Sequence, residues 1–201
     1  MKYVLATANP GKIREMREIL SGSGIDVVTR DALGIDVEVE ETGDTFFENA
    51  LQKAITICGI SGLPAIADDS GLMVDALGGA PGVYSSSYGG EGLDANERNM
   101  YLLKKMSGME QRSAKFVCTI VCAFPDGGVL SATGECHGDI LTAPRGAAGF
   151  GYDPVFLVND LNKTMAELSE DEKNAISHRG AALRDFEALL MKRFSDTGDR
   201  Y

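Results

Sequence analysis

The sequence has little of what several common enzyme mechanisms and cellular locations require: it has two histidines, four cysteines and no long apolar run among 201 residues. A Ser-His-Asp or Cys-His mechanism would have to use His137 or His178, and neither is accompanied by a GxSxG motif. The cysteines form no CxxC pair and match no zinc spacing, so we interpret them as small buried hydrophobic residues that stay reduced. No apolar run approaches the ~20 residues of a membrane span, and the N-terminus turns polar by Thr7, too early for a signal peptide. We therefore expect a cytoplasmic protein.

Basic residues are also scarce relative to acidic ones. Nineteen Lys and Arg face 30 Asp and Glu, which gives a formal net charge of −11. A surface this acidic repels a polynucleotide backbone, whose non-specific binding depends on Lys and Arg displacing counterions. A small anionic substrate is compatible with this charge where local cations, a helix N-terminus or a bound metal reverse the field.

The order of predicted elements indicates an α/β start, a β-rich middle and a helical end. The length allows one sizeable core or two small lobes that share a cleft. Helices are predicted after Pro10, after a capping box at Thr45 and Glu48, and after Asp94. Strands are predicted at residues 2–7, 64–67, 72–74, 116–124, 129–137 and 153–158, a long surface loop at 80–92, and further helices from Ser169 to the C-terminus. The strand at 116–124 is apolar on both faces, so we expect both to be covered.

Two adjacent carboxylates follow the predicted strand at 64–67. Asp68 and Asp69, followed by Ser70 and Gly71, would repel each other at the end of a buried strand unless cations or donors hold them. Mg²⁺ prefers such oxygen ligands. An Asx-turn, in which the aspartates bond backbone amides before Gly71, explains the same residues equally well.

Two further segments could serve the same site. Glu38, Glu40 and Glu41 precede the capped helix and could supply the second arm of a metal site, although acids before a helix are more often a solvated face. The turn between the first strand and the first helix could form an anion cradle from helix amides and one lysine, or it could be only a structural turn. Its residues are Thr7, Ala8, Asn9, Pro10, Gly11 and Lys12.

The C-terminal third contains candidates for binding a planar base. Phe150 lies between two glycines and could stack on such a base. Lys173, His178 and Arg179 could lie close together on one helical segment and present donors to a carbonyl oxygen of the base. A core Phe and a His-Arg pair that bonds local carbonyls are the structural alternatives.

Taken together, seven motifs resemble one family, the pyrophosphatases of non-standard purine nucleoside triphosphates, or Ham1-like family. The motifs are TANPGK (7–12), EETG (40–43), FFENA (46–50), ADDSGL (67–72), ALGGAPGVYS (76–85), GFGYDPVF (149–156) and AISHRG (175–180). They occur in order along almost the whole chain and are most similar to the bacterial XTP/dITP enzymes. The resemblance implies a long, mixed, twisted sheet flanked by helices, in a single catalytic domain (1–201) of two lobes with a central cleft, and a homodimer.

The resemblance also implies a reaction and its residues. ITP, dITP or XTP would be cleaved between the α- and β-phosphates, to the monophosphate and pyrophosphate. Glu40 and Asp69 would hold Mg²⁺, with Glu41 left open in place of Glu40, and Asp69 would be the base for the attacking water. Residues 7–12 and Ser70 would contact phosphate. The base would be enclosed by Phe150, Gly151, Tyr152, Asp153, Lys173, His178 and Arg179.

Two positions depart from the family pattern. Ala8 stands where bacterial relatives usually have Gly or His, and Ser87 stands where many have an Arg before the Tyr. Loss of that Arg predicts weaker substrate binding if it holds phosphate. The rival hypotheses are a Maf-like pyrophosphatase of modified pyrimidines, a catalytically silent nucleotide-binding regulatory module, and a purely structural dimer. The GFGYDP and SHRG segments argue against the first hypothesis. The presence of Asp68, Asp69, Glu40 and Lys12 argues against the second, and the acid cluster at a strand end argues against the third.

Overall fold

The computed structural model describes residues 2–22 and 24–197. It contains one seven-stranded sheet with the strand order β2-β1-β3-β4-β5-β6-β7. The strands are β1 (Lys2–Leu5), β2 (Asp26–Thr29), β3 (Ala65–Val74), β4 (Ser113–Ala123), β5 (Val129–Ile140), β6 (Phe156–Val158) and β7 (Lys163–Thr164). The α-helices of the described residues are α1 (Pro10–Leu20), α2 (Phe46–Ser61), α3 (Ala95–Lys105), α4 (Glu170–Ile176) and α5 (His178–Thr197).

The sheet is mixed, which confirms the predicted fold class. β1 pairs in parallel with β2 and β3, whereas β6 pairs antiparallel with β5 and β7. The predicted helix starts are also confirmed: Pro10 is the first residue of α1, and the capping box of Thr45 and Glu48 opens α2. No helix in the described part of the chain is long and apolar enough to cross a membrane.

The chain divides into two compact units, and we describe each by itself. Unit 1 takes its described residues from 1–69, 118–134 and 178–201. Side chains alternate between the two faces of a strand, and the buried clusters follow this alternation. Tyr3, Leu5 and Ile66 pack with residues of α1 and α5, whereas Val4 and Ala67 pack with residues of α2. In unit 1 the sheet is therefore covered on both faces.

Unit 2 takes its residues from 70–117 and 135–177. Its buried cluster joins Leu72 and Val74 of β3 to Leu102 of α3 and to Tyr152 and Phe156. Strand β4 contributes residues to both units and is buried along nearly its whole length. The prediction that both faces of this strand are covered is confirmed.

Three predicted elements are wrong. β3 runs unbroken from Ala65 to Val74, so Asp68 and Asp69 lie within a strand and not in an Asx-turn. Strand β6 begins only at Phe156, because Asp153–Val155 form a 3-10 turn. The segment predicted as one helix through Lys173 and Arg179 is two helices, because Ser177 between them has extended dihedral angles (φ −67°, ψ 155°).

Candidate active site

The two aspartates of β3 follow the point where its pairing with β1 ends. Val4 pairs with Ala65 and Leu5 with Ile66, and the amide of Ala6 donates to the carbonyl of Ile66 at 2.8 Å. Beyond that point the chain of β1 leaves toward α1. Ligand sites of α/β sheets lie at the carboxyl ends of parallel strands, where such a departure opens space.

Asp68 is fully buried among cations. Its Oδ2 lies 3.0 Å from Nζ of Lys12, and Arg179 donates to it from Nη2 at 3.1 Å and from Nε at 3.3 Å. Another nitrogen of Arg179 donates to the buried carboxylate of Glu15. Burial by itself would raise the pKa of Asp68, but the charges of Lys12, Arg179 and Lys53 outweigh it and hold that pKa well below its usual range. Asp68 is therefore a fixed anion.

Asp69 has a different environment. Nδ2 of Asn49 donates to its Oδ2 at 3.1 Å, and Nζ of Lys53 lies 3.6 Å from its Oδ1. Burial raises the pKa of Asp69, and Lys53 and Lys12 offset only part of that effect. A buried carboxylate with a raised pKa is suited to accept a proton from water.

Lys53 connects Asp69 to the acidic loop before α2. Its ammonium donates to Oε1 of Glu41 at 2.5 Å and to the backbone carbonyl of Asp68 at 2.7 Å. Burial would lower the pKa of Lys53, but Asp68, Asp69 and Glu41 outweigh it and raise that pKa. Lys53 is therefore a buried cation at the centre of three acids.

Lys53 and Asn49 are functional candidates that were not among the predicted site residues. They lie four residues apart on α2, on the face that also buries Ala50 and Ala54. Two polar side chains on an otherwise apolar helix face are the signal that could have identified them.

The acids of this site suit a hard cation, although the described residues contain no group of three or more His, Cys, Asp or Glu that could hold a metal by themselves. Glu41 is tied to Lys53, and Glu40 is exposed. Mg²⁺ is usually held by one or two carboxylates together with waters and substrate phosphates. Asp69 and one glutamate of the loop therefore fit the donor set that this ion requires.

The turn of residues 7–12 has an internal cap. Oδ1 of Asn9 accepts hydrogen bonds from the amides of Gly11 at 2.9 Å and Lys12 at 3.3 Å, and the amide of Asn9 donates to Oγ1 of Thr7 at 3.2 Å. Ala8 and Pro10 are exposed. An anion at this helix start would replace Asn9 as the acceptor of those amides, and it would meet the ammonium of Lys12.

A second group of candidates lies in unit 2. Oδ2 of the buried Asp153 accepts from Nζ of Lys173 at 2.7 Å and from the amide of Phe150 at 2.8 Å. The same ammonium lies 4.7 Å from the centre of the Phe150 ring. The structure thus brings Phe150, Asp153 and Lys173 together and places the ring beside a cation. Their role in enclosing a base stays a prediction.

The loop of residues 149–153 is held by hydrogen bonds to residues that were not among the predicted site residues. The hydroxyl of Tyr152 donates to the carbonyl of Ser85 at 2.8 Å, and Nδ2 of Asn99 donates to the carbonyl of Gly151 at 3.0 Å. Oγ of Ser85 also accepts from the amide of Leu72 in β3 at 2.9 Å. Ser85 ends the motif ALGGAPGVYS and Asn99 lies in none of the seven motifs, and the sequence alone pairs neither residue with this loop.

The remaining predicted site residues fall in other surroundings. Ser70 is half-buried in β3. His178 and Arg179 are buried at the start of α5 in unit 1, and Arg179 forms the ion pairs with Asp68 and Glu15. A role of His178 and Arg179 in enclosing a base stays a prediction.

Comparisons with known proteins agree with the motifs. A model of the Ham1 family matches residues 3–189. The chain is 52% identical over 186 residues to a dITP/XTP pyrophosphatase of Thermus thermophilus, covering 92% of this chain and 89% of the relative. It is 47% identical over 189 residues to one of Bacillus subtilis, covering 93% and 96%.

Solved structures show the same likeness. A Ham1 protein from Staphylococcus aureus has a TM-score of 0.87 and 40% identity, and the match covers 96% of this chain and 100% of that one. A HAM1 protein from Coxiella burnetii has a TM-score of 0.88 and 41% identity, and the match covers 96% and 99%.

Proposed function

The chain belongs to the Ham1 family, and we propose that it hydrolyses dITP, ITP and XTP to the monophosphate and pyrophosphate. This activity would keep these purine nucleotides out of nucleic acid. The single observation that carries the proposal is the buried carboxylate of Asp69, which lies beside the ammonium of Lys53 just beyond the point where the pairing of β3 with β1 ends. The relatives from Thermus and Bacillus carry the name of an enzyme, which supports hydrolysis over a silent regulatory module.

We infer that Mg²⁺ is the metal and that Asp69 and either Glu40 or Glu41 hold it. The oxygen donors and the small number of carboxylates support this choice. The exposed Glu40 is not engaged in the pairing that links Glu41 to Lys53. When bound, the ion would neutralise charge on the phosphate oxygens.

In unit 1, one residue would accept the proton of the attacking water and two others would contact the phosphates. Asp69 would accept a proton from water as the water oxygen bonds to phosphorus, and the bond between the α- and β-phosphates would break to release pyrophosphate. Lys12 and Lys53 would face the phosphate oxygens. Both ammoniums already lie against carboxylates, at 3.0 Å from Asp68 and 3.6 Å from Asp69, so an arriving phosphate would compete with those acids for them.

The ring of Phe150 would stack on the purine, and donors near it would select the base. A donor aimed at the 6-oxo group of hypoxanthine or xanthine would meet the amino group of adenine instead, at a cost of about 1–3 kcal/mol for each buried donor left unpaired. Lys173, His178 and Arg179 are the candidates for these donors. Guanine shares the 6-oxo group, so its rejection must depend on contacts to its 2-amino group.

The family resemblance also supports three broader proposals. The chain would form one catalytic domain, act as a homodimer, and work in the cytoplasm. Sedimentation equilibrium would test the dimer, for which we expect twice the 21.4 kDa of the chain. A mass of one chain at the concentration of the activity assay would refute it.

Product analysis tests the reaction itself. Purified protein with Mg²⁺ and dITP should release pyrophosphate and dIMP in equal amounts, and EDTA should stop the release until Mg²⁺ is restored in excess. Orthophosphate in place of pyrophosphate would mean attack at the γ-phosphate and would overturn the proposal. Undiminished turnover in EDTA would overturn the role of the metal.

A further inference from the structure

Asn49 joins two parts of the candidate site through its two amide atoms. It lies near the start of α2 and is almost completely buried, at 2% exposure. Its Oδ1 accepts from the backbone amide of Gly43 at 2.8 Å, and its Nδ2 donates to Oδ2 of Asp69 at 3.1 Å. One side chain thus contacts both the end of the acidic loop 40–43 and the carboxylate of β3.

The chemistry of these partners fixes which way the amide faces. A backbone N–H only donates, so the atom that faces Gly43 must be the oxygen of Asn49. The nitrogen then faces Asp69, whose carboxylate accepts. Among side chains of this size, an ionised Asp would lack the donor to Asp69, and Leu would lack both the donor and the acceptor.

The loop is pressed against the helix at this point. A Cβ added to Gly43 would lie 2.5 Å from Cβ of Glu48 and 2.9 Å from Oδ1 of Asn49. The carboxylate of Glu48 meanwhile accepts from the amides of Asp44 and Thr45 at 2.9 and 3.0 Å. The start of α2 therefore holds the end of the acidic loop through side chains that accept hydrogen bonds from backbone amides, and Asn49 also links this loop to Asp69.

We propose that Asn49 is a positioning residue that sets the Asp69 carboxylate relative to the acidic loop 40–43. This rests on the proposed function, in which Asp69 accepts the proton of the attacking water. Asn49 binds Oδ2 of Asp69, whereas Lys53 lies nearest to Oδ1. Because Asn49 is uncharged, it orients the carboxylate without changing the balance of charge around Lys53. The residue acts through Asp69 and has no role in binding the purine.

Three variants separate this role from general support of the fold. Asn49→Ala removes both bonds. Asn49→Asp keeps an acceptor for Gly43 and loses the donor to Asp69. Gln52→Ala is the matched control on the same helix, because Oε1 of Gln52 accepts from the amide of Thr42 at 3.4 Å and holds the same loop.

The experiment measures kcat and KM for dITP with Mg²⁺, together with hydrogen exchange at the Gly43 amide. We expect kcat to fall about 10²-fold in Asn49→Ala and Asn49→Asp with KM near the wild-type value, because a misplaced reacting group costs rate at this scale. Exchange at Gly43 should accelerate in Asn49→Ala and stay slow in Asn49→Asp. Gln52→Ala should keep the wild-type kcat.

Wild-type kcat in Asn49→Asp, or unchanged Gly43 exchange in Asn49→Ala, would overturn the proposal. A loss of kcat in Gln52→Ala equal to that in Asn49→Ala would also overturn it, since loop support alone would then explain the effect. Asp69→Asn in the same assay tests the proposed function separately: full activity in that variant would refute the role of Asp69, whatever the Asn49 variants show.

Discussion

Asp68 and Asp69 are neighbours in the chain, but their side chains lie on opposite faces of β3. Asp68 lies with Ile66 on the face of α1 and α5, where Lys12 and Arg179 surround it. Asp69 lies with Ala67 on the face of α2, where Asn49 and Lys53 contact it. The strand thereby separates two carboxylates whose mutual repulsion favoured the hypothesis of a metal between them. The charge of Asp68 is compensated by Lys12 and Arg179, whereas Asp69 remains suited to accept a proton.

Substitution of each aspartate by asparagine should give opposite results. Asp69→Asn removes the proposed base, so kcat should fall by about 10²–10⁴-fold while the melting temperature changes little. Asp68→Asn removes the anion of a buried ion-pair network, so the free energy of unfolding should fall by about 3–5 kcal/mol. Steady-state kinetics and urea denaturation of both variants check the prediction. Wild-type rates in Asp69→Asn would contradict the mechanism.

Glu15→Gln should destabilise the protein through Arg179. The buried guanidinium of Arg179 lies between Glu15 and Asp68, so loss of one acid leaves a buried charge only partly compensated. We expect a loss of about 3–5 kcal/mol in the free energy of unfolding.

The exposed Glu18 of the same helix provides the matched control for Glu15. Glu18→Gln should change the free energy of unfolding by no more than about 0.5 kcal/mol. Equal unfolding midpoints in urea for the two variants would show that the network contributes nothing to stability.

Gly149→Ala should disrupt the Phe150 loop far more than Gly151→Ala. Both glycines have left-handed dihedral angles, with φ of +78° and +61°. A Cβ at residue 149 would lie 2.0 Å from Oδ2 of Asp153, the atom that holds Lys173, whereas a Cβ at residue 151 meets no atom within 4 Å. We expect KM for dITP to rise at least about tenfold in Gly149→Ala, and Gly151→Ala to show only the backbone cost of about 1 kcal/mol in stability. Similar KM values in both variants would contradict the role of Asp153.

Ser87→Arg should strengthen substrate binding. Ser87 is exposed in unit 2. It is the position at which the resemblance to the family led us to expect an arginine before the Tyr. If that position faces the phosphates, an added guanidinium should lower KM for dITP, since charge-assisted bonds to phosphate are among the stronger polar contacts. Kinetics of Ser87→Arg beside Ser87→Lys would check the bidentate character of the contact. A KM for dITP equal to that of the wild type in both variants would show that residue 87 does not contact phosphate.

Helix starts were predicted correctly because they depend on hydrogen bonds between residues that are close in sequence. Pro10 and the Thr45–Glu48 capping box marked helix starts, because caps are satisfied within one turn of chain. The turn expected at residues 68–71 was wrong for the opposite reason. Aspartates favour turns through local backbone bonds, but here their partners are distant in sequence: Lys12, Asn49, Lys53 and Arg179.

Site residues could be predicted from the sequence only where they lie in a recognisable motif or at a helical spacing from one. Asp153 was predicted from the motif GFGYDPVF and Lys173 from its spacing to His178 and Arg179, and the structure brings the two side chains within 2.7 Å. Ser85 and Asn99 hold the same loop through contacts 67 and 52 residues apart in sequence, which no spacing rule reveals. Asn49 lies within the motif FFENA but no role was predicted for it, and Lys53 lies outside every motif. Their roles could not be predicted because their partner, Asp69, is on a strand that becomes their neighbour only in the folded chain.

The central claim is selective hydrolysis of purine nucleotides that carry hypoxanthine or xanthine, and a comparison of four substrates tests it most directly. The wild-type protein with Mg²⁺ would be assayed on dITP, XTP, dATP and dGTP, with kcat/KM determined from pyrophosphate release. The account predicts efficient turnover of dITP and XTP, with dATP and dGTP slower by at least about 10²-fold. Equal kcat/KM for dATP and dITP would contradict the account.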